Sequence, residues 1–131
     1  MKITRGVLSQ IIAHARKEAP LEACGYLARE DGIVHRHYAL TNMDHSAEHF
    51  SFDPQEQFAA LKDARASGYE LCAVYHSHPA SPARPSAEDI KLAYDPTISY
   101  VIISLAGGKE DVQSYKIVNA VVEHEKIEIM D

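Results

Sequence analysis

The chain has 131 residues, 46% of them hydrophobic, and its 13 basic and 19 acidic side chains leave a net charge of −6. One domain spanning residues 1–131 is the natural reading, with a core that needs no disulfides. The acidic balance, without a basic cluster, argues against binding nucleic acid through its phosphates, and no apolar run is long enough to span a membrane or serve as a signal-peptide core.

Ile3 opens a short strand. From Val7 to Ala19 the apolar positions Val7, Ile11, Ile12 and Ala15 follow helical spacing, and Pro20 closes the segment. Two strand-like stretches follow, Ala23–Ala28 and Ile33–Leu40, separated by the turn Glu30-Asp31-Gly32. Residues 42–48 read as a polar loop and Phe50-Ser51-Phe52 as an alternating stretch. Asp53-Pro54 starts a second amphipathic helix that carries Phe58, Leu61 and Ala64 and ends at Gly68.

The apolar run Leu71–Tyr75 reads as a buried strand. It delivers His76-Ser77-His78-Pro79, and Ser86 and Asp89 begin a short helix after a proline-stiffened loop. Tyr100–Leu105 and Val112–Val118 form a hairpin around Gly107-Gly108, and Val121–Ile129 alternates as one last strand. Helices interspersed among groups of strands predict an α/β or α+β fold around one sheet. Cys24 and Cys72 lie in apolar, strand-like contexts without a C-x-x-C motif and read as reduced core residues; a cytoplasmic protein is expected.

The pattern H-x-H-P-x6-S-x-x-D carries the chemistry. Residues two apart on a strand share a face, so the imidazoles of His76 and His78 converge. Two His and Asp89 supply three protein ligands and leave the fourth tetrahedral position of a zinc ion open to water, as in catalytic rather than structural sites. Ser86 with acids at Glu88 and Asp89 is also an ordinary helix start, which many proteins have without a metal.

The segment His76-Ser77-His78-Pro79 with Ser86-Ala87-Glu88-Asp89 resembles the motif of the JAMM (MPN+) metallopeptidases, and Leu21-Glu22-Ala23-Cys24-Gly25 resembles the segment that carries their catalytic glutamate. The resemblance covers nearly the whole chain and is nearest the small, stand-alone bacterial members. It implies a cytidine-deaminase-like JAMM/MPN fold, a mixed sheet flanked by helices, with zinc (Zn2+) held by His76, His78 and Asp89. It implies Glu22 as general acid/base and Ser86 as an oxyanion donor. It implies as substrate a ubiquitin-like sulfur-carrier protein cut at its C-terminal tail. Without the resemblance Glu22 reads as an exposed acid at a strand start. The alternative is a non-catalytic module that binds ubiquitin-fold proteins and keeps a structural metal. Nothing in the sequence indicates an oligomeric state.

Three other patterns compete. His45-Ser46-Ala47-Glu48-His49 fits H-x-x-E-H, but that motif needs a sustained helix, and Phe50-Ser51-Phe52 and Pro54 follow at once, so it reads as a chance match. His35-Arg36-His37 has no Ser-x-x-Asp to complete it and reads as two histidines on the wet face of a strand. Neither cysteine has the polar, helix-start setting of an activated thiolate, and the absence of C-x-x-C excludes a zinc deaminase.

Overall fold

A computed structural model describes all of residues 1–131 as a mixed α+β fold. In chain order the elements are β1 (Lys2–Thr4), α1 (Arg5–Glu18), β2 (Cys24–Glu30), β3 (Ile33–Leu40), α2 (Pro54–Ala66), β4 (Glu70–His78), α3 (Ala87–Lys91), β5 (Ser99–Ser104), β6 (Asp111–Val118), β7 (Val121–Glu125) and β8 (Glu128–Met130). The strands make one eight-stranded sheet in the order β7-β6-β5-β4-β2-β3-β1-β8. β4 runs parallel to β5, and β1 runs parallel to β3 and β8; the other pairs are antiparallel.

α1 covers one face. Its stripe Val7, Ile11 and Ala15 packs with Ile3, Leu27, Val34, Tyr75, Val101 and Ile103 into the main core. Thr4 caps the helix by accepting the Val7 N–H at 3.2 Å, a bond that substitutes for a partner the first turn lacks. On the other face α2 and α3 each hold a smaller cluster: Ala60 with Cys24 and Leu40, and Ile90 beside Ala83, Ile102, Tyr115 and Ile117. Asp53 caps α2 and Pro54 fills its first turn, where a missing N–H costs nothing.

The helices, the β5–β6 hairpin and the paired β2 and β3 fall where the sequence puts them. Three expectations do not survive. Phe50-Ser51-Phe52 is loop: the Ser51 carbonyl accepts the Met43 N–H at 3.0 Å, and the segment pairs with no strand. Phe58, expected on the buried stripe of α2, is 68% exposed; Ala60 and Ala64 are the residues that pack inward.

The last strand is two strands on opposite rims of the sheet, β7 against β6 and β8 against β1. Ile127 breaks the alternation by turning into the α1-face core. The Met1 amine donates to the Lys126 carbonyl at 2.7 Å, and the Glu128 N–H donates to the Met1 carbonyl at 2.8 Å. A sheet whose first and last strands are two residues apart in sequence must curl strongly.

Gly25 fixes the local path of β2. A Cβ there would stand 2.2 Å from the Tyr38 carbonyl oxygen and 2.5 Å from the Tyr75 ring. The space lets Tyr75 lie flat in the core, where its hydroxyl bonds His14 Nδ1 at 2.7 Å, and it holds β2 close beside the strand that carries the histidines.

Candidate metal centre and cleft

The end of β4 presents His76 and His78 on the face away from α1, both nearly fully buried. Ser77 between them turns to the other side, where its Oγ accepts the Ala23 N–H at 2.7 Å and its N–H donates to the Ala23 carbonyl at 2.9 Å. That clasp prolongs the β2–β4 pairing past the Cys24–His76 register and brings Glu22 alongside His78. The Glu22 N–H donates to the Ser46 carbonyl, and Asn42 Nδ2 donates to the Glu22 carbonyl at 3.0 Å. The same amide group also reaches the carbonyls of Ser46 and His49, so one buried asparagine organises the loop of residues 42–49 around the glutamate.

α3 supplies the third expected ligand. Ser86 is its exposed N-cap: Ser86 Oγ accepts the Asp89 N–H at 3.0 Å, and the Ser86 N–H donates to Asp89 Oδ2 at 2.9 Å, a reciprocal capping box. The cap aims the carboxylate back at β4. Asp89 Oδ2 lies 3.2 Å from His76 Nε2 and 3.1 Å from His78 Nε2, and the two nitrogens are 3.1 Å apart. Ligands at zinc–nitrogen and zinc–oxygen distances in a tetrahedron stand about 3.4 Å apart. The triangle fits such an ion with an opening of a few tenths of an ångström. His78 Nδ1 donates to the Pro82 carbonyl at 2.8 Å, which leaves the Nε2 lone pair facing the centre of the triangle.

The electrostatics agree with that donor set. Burial pulls His78 down, but its hydrogen bonds to Asp89 and Pro82 outweigh burial and raise it. For Asp89 burial acts upward, and the bonds from His76 and His78 win and hold its carboxyl far below the usual range. Glu22, only 4% exposed, has an Oε1 without any hydrogen-bond partner, and burial pushes its carboxyl up to about 7. Local sequence carried no sign of this burial: the acid that reads as exposed holds a buried oxygen with no hydrogen-bond partner.

The other histidines are elsewhere. No helix forms over residues 45–49, and His45 adopts a left-handed backbone, so the H-x-x-E-H spacing does not bring its residues together. His49 nevertheless reaches the rim of the site and bonds Glu88 Oε1 at 2.9 Å, while Phe50 stacks on His76 with ring centroids 4.8 Å apart. Both were missed, because the loop around Asn42 and not any local period carries them in. His35 is on the wet face as expected, but His37 is half-buried beside Tyr75, which corrects half of that reading. Cys24 and Cys72 are buried and unpaired, and burial pushes their thiols up to about 12 and about 11.

A cleft of about 790 Å³ opens from Glu22, His76 and Asp89 along β4, between α2 and the segment after α3. Tyr26, Phe52, Leu61, Val74, Tyr100 and Ile117 are among its apolar lining.

Residues 4–118 match the family described as prokaryotic homologs of the JAB domain. The chain belongs to this Prok-JAB family. A CysO-cysteine peptidase from Mycobacterium tuberculosis is 33% identical over 98% of this chain and 90% of its own length. A probable TtuB-protein conjugate cleaving protease from Thermus thermophilus is 40% identical over 80% of this chain and 70% of its own length. Among solved structures, a Desulfitobacterium hafniense protein superposes with a TM-score of 0.90 at 47% identity, covering 99% of this chain and 92% of that one. A JAB1/MPN domain protein from Archaeoglobus fulgidus, at 23% identity and a TM-score of 0.71 over the full length of both chains, shares the fold of this Prok-JAB chain. The peptidase and protease names among Prok-JAB relatives support a hydrolase.

Proposed function

We propose that residues 1–131 form one zinc-dependent metallopeptidase domain that hydrolyses a peptide or isopeptide bond at the C-terminal tail of a ubiquitin-like sulfur-carrier protein. The observation that carries the reading is the triangle of His76 Nε2, His78 Nε2 and Asp89 Oδ2, with sides of 3.1 to 3.2 Å, beside the unpartnered, buried carboxyl of Glu22. The names of the relatives, which refer to CysO-cysteine and to TtuB conjugates, support the substrate class. We read the protein as cytoplasmic, in keeping with its two unpaired thiols and with the absence of any helix long and apolar enough to cross a membrane.

A zinc ion held by His76, His78 and Asp89 would acidify a bound water toward neutral pH and polarise the scissile carbonyl. Glu22 does the proton work. Burial without a partner raises the metal-free carboxyl, and a dication beside it would draw it back toward the ionised form, in which it takes a proton from attacking water and then releases it to the leaving amine. Ser86 Oγ accepts from the Asp89 N–H and keeps its own proton free to donate to the carbonyl oxygen as charge develops there. Phe50 and Phe52 give the site an apolar wall that strengthens these interactions by excluding water.

A binding module with a structural metal would gain nothing from an unpartnered buried glutamate, which lowers stability; that favours the enzyme. Incubation of the zinc-loaded protein with carrier adducts, followed by mass spectrometry, tests it. Turnover should vanish with a chelator. His78→Ala should lose about one zinc per chain, and Glu22→Ala should keep zinc and fold while losing roughly 10²–10⁴-fold in rate. His45→Ala/His49→Ala should still bind zinc. Full zinc occupancy in His76→Ala/His78→Ala would remove the metal assignment, and metal loss in Glu22→Ala would make that residue a ligand.

A further inference from the structure

The three expected metal ligands are not held with equal firmness. His76 and His78 stand on β4, an inner strand paired on both sides: Cys24 and Ile102 flank His76, and Ser104 lies beside His78. Asp89 stands on α3, five residues that bury no side chain completely. A helix of that length does not sustain itself. Its capping box is internal, so it shapes the turn without fastening it to the sheet, and Ile90 packs there only as a partly buried residue. Loss of a metal from such a set begins at Asp89.

A side-chain bond fastens α3 from across the mouth of the site. His49 Nδ1 donates to Glu88 Oε1 at 2.9 Å, and Glu88 directly precedes Asp89 on the same turn. The residue that reaches over is itself anchored. The His49 N–H donates to Ser46 Oγ at 3.2 Å, and its carbonyl accepts the Asn42 Nδ2 group at 2.9 Å. The next side chain, Phe50, stacks on His76. The tie therefore runs from a fixed point on the loop to the one ligand-bearing element that lacks a fixed point of its own. Its magnitude separates local from global effects. Both side chains are about half exposed, at 49% and 44%. A pair that wet shifts an equilibrium by about fivefold at most. That is negligible for the whole fold but substantial for the docking of one short helix.

We propose that His49 is a positioning residue for the metal centre: through Glu88 it keeps α3 docked, holds Asp89 at the triangle and sets how slowly the site gives up its metal. Partners of ligating residues govern metal retention in this way even though they never touch the ion. The inference rests on the metal assignment to His76, His78 and Asp89.

The test measures zinc release from the full-length, zinc-loaded protein into an excess of chromogenic chelator. His49→Ala and Glu88→Ala should each release zinc about fivefold faster than wild type. The double variant should be no faster than either single one, whereas independent effects would multiply to about 25-fold. His49→Asn keeps a donor where Nδ1 stands, and Glu88→Gln keeps the accepting oxygen without its charge; both should stay near wild type. All variants should still bind about one zinc and, free of metal, should share the denaturation midpoint of wild type. Unchanged release in either alanine variant, multiplied effects in the double variant, or Glu88→Gln as fast as Glu88→Ala would overturn the tie and leave the metal site standing. Wild-type protein that takes up no zinc would overturn the metal assignment, and the tie with it.

Discussion

Glu22 concentrates the tension between stability and chemistry in a single side chain. Its carboxyl is buried, unpartnered and raised from 4.5 to about 7, so in metal-free protein the folded state holds a proton that the unfolded chain has already released. The sign follows: this group leaves stability unharmed below pH 4.5 and lowers it progressively as pH rises to about 7, with the full penalty above. Glu22→Gln should therefore stabilise the metal-free protein at pH 8, by up to about 3 kcal/mol, and give no gain at pH 4. Chemical denaturation at the two pH values reads the difference directly. A flat difference across that range would mean that the carboxylate has a partner. Gly25 is the opposite case, a residue whose value lies in what it lacks. Gly25→Ala would drive a methyl into the Tyr38 carbonyl, which as backbone cannot step aside, and should cost about 3 kcal/mol or more in denaturant unfolding.

The short helix α3 shows how one element serves two masters. Five residues are far too few to be helical alone; the capping box and the packing of Ile90 hold them in place. The cap was legible in the sequence because it is local, and so was the H-x-H pair, because a strand has a period of two. What stayed hidden came through tertiary pairing. Glu22 arrives through the β2–β4 register, and His49 and Phe50 through a loop organised by Asn42, none of which leaves a periodic trace. The two roles of Ser86 can be separated experimentally. Asp is as good a cap as Ser, but its carboxylate has no proton to donate. Ser86→Asp should keep a near wild-type melting temperature and lose roughly 10²–10³-fold in turnover. Normal turnover in that variant would reduce Ser86 to a cap.

At the scale of the whole molecule the sequence conveyed the mixed sheet and its helical cover but misjudged the C-terminal segment. Alternation over residues 121–129 describes one strand well, and nothing local shows that Ile127 abandons the pattern for the core. Lys126 and Ile127 thus join β7 and β8, which border opposite rims of the sheet. Those two residues act as a hasp. Neither rim can swing outward without pulling Ile127 from the core and Met1 from its bonds to Lys126 and Glu128. Ile127→Ser should loosen both rims together, seen as faster amide exchange in β1 and β7 alike, while leaving the metal triangle unaltered. Mechanically, the frame is locked by how the chain is threaded, so a load on either rim is carried to the other through Lys126 and Ile127.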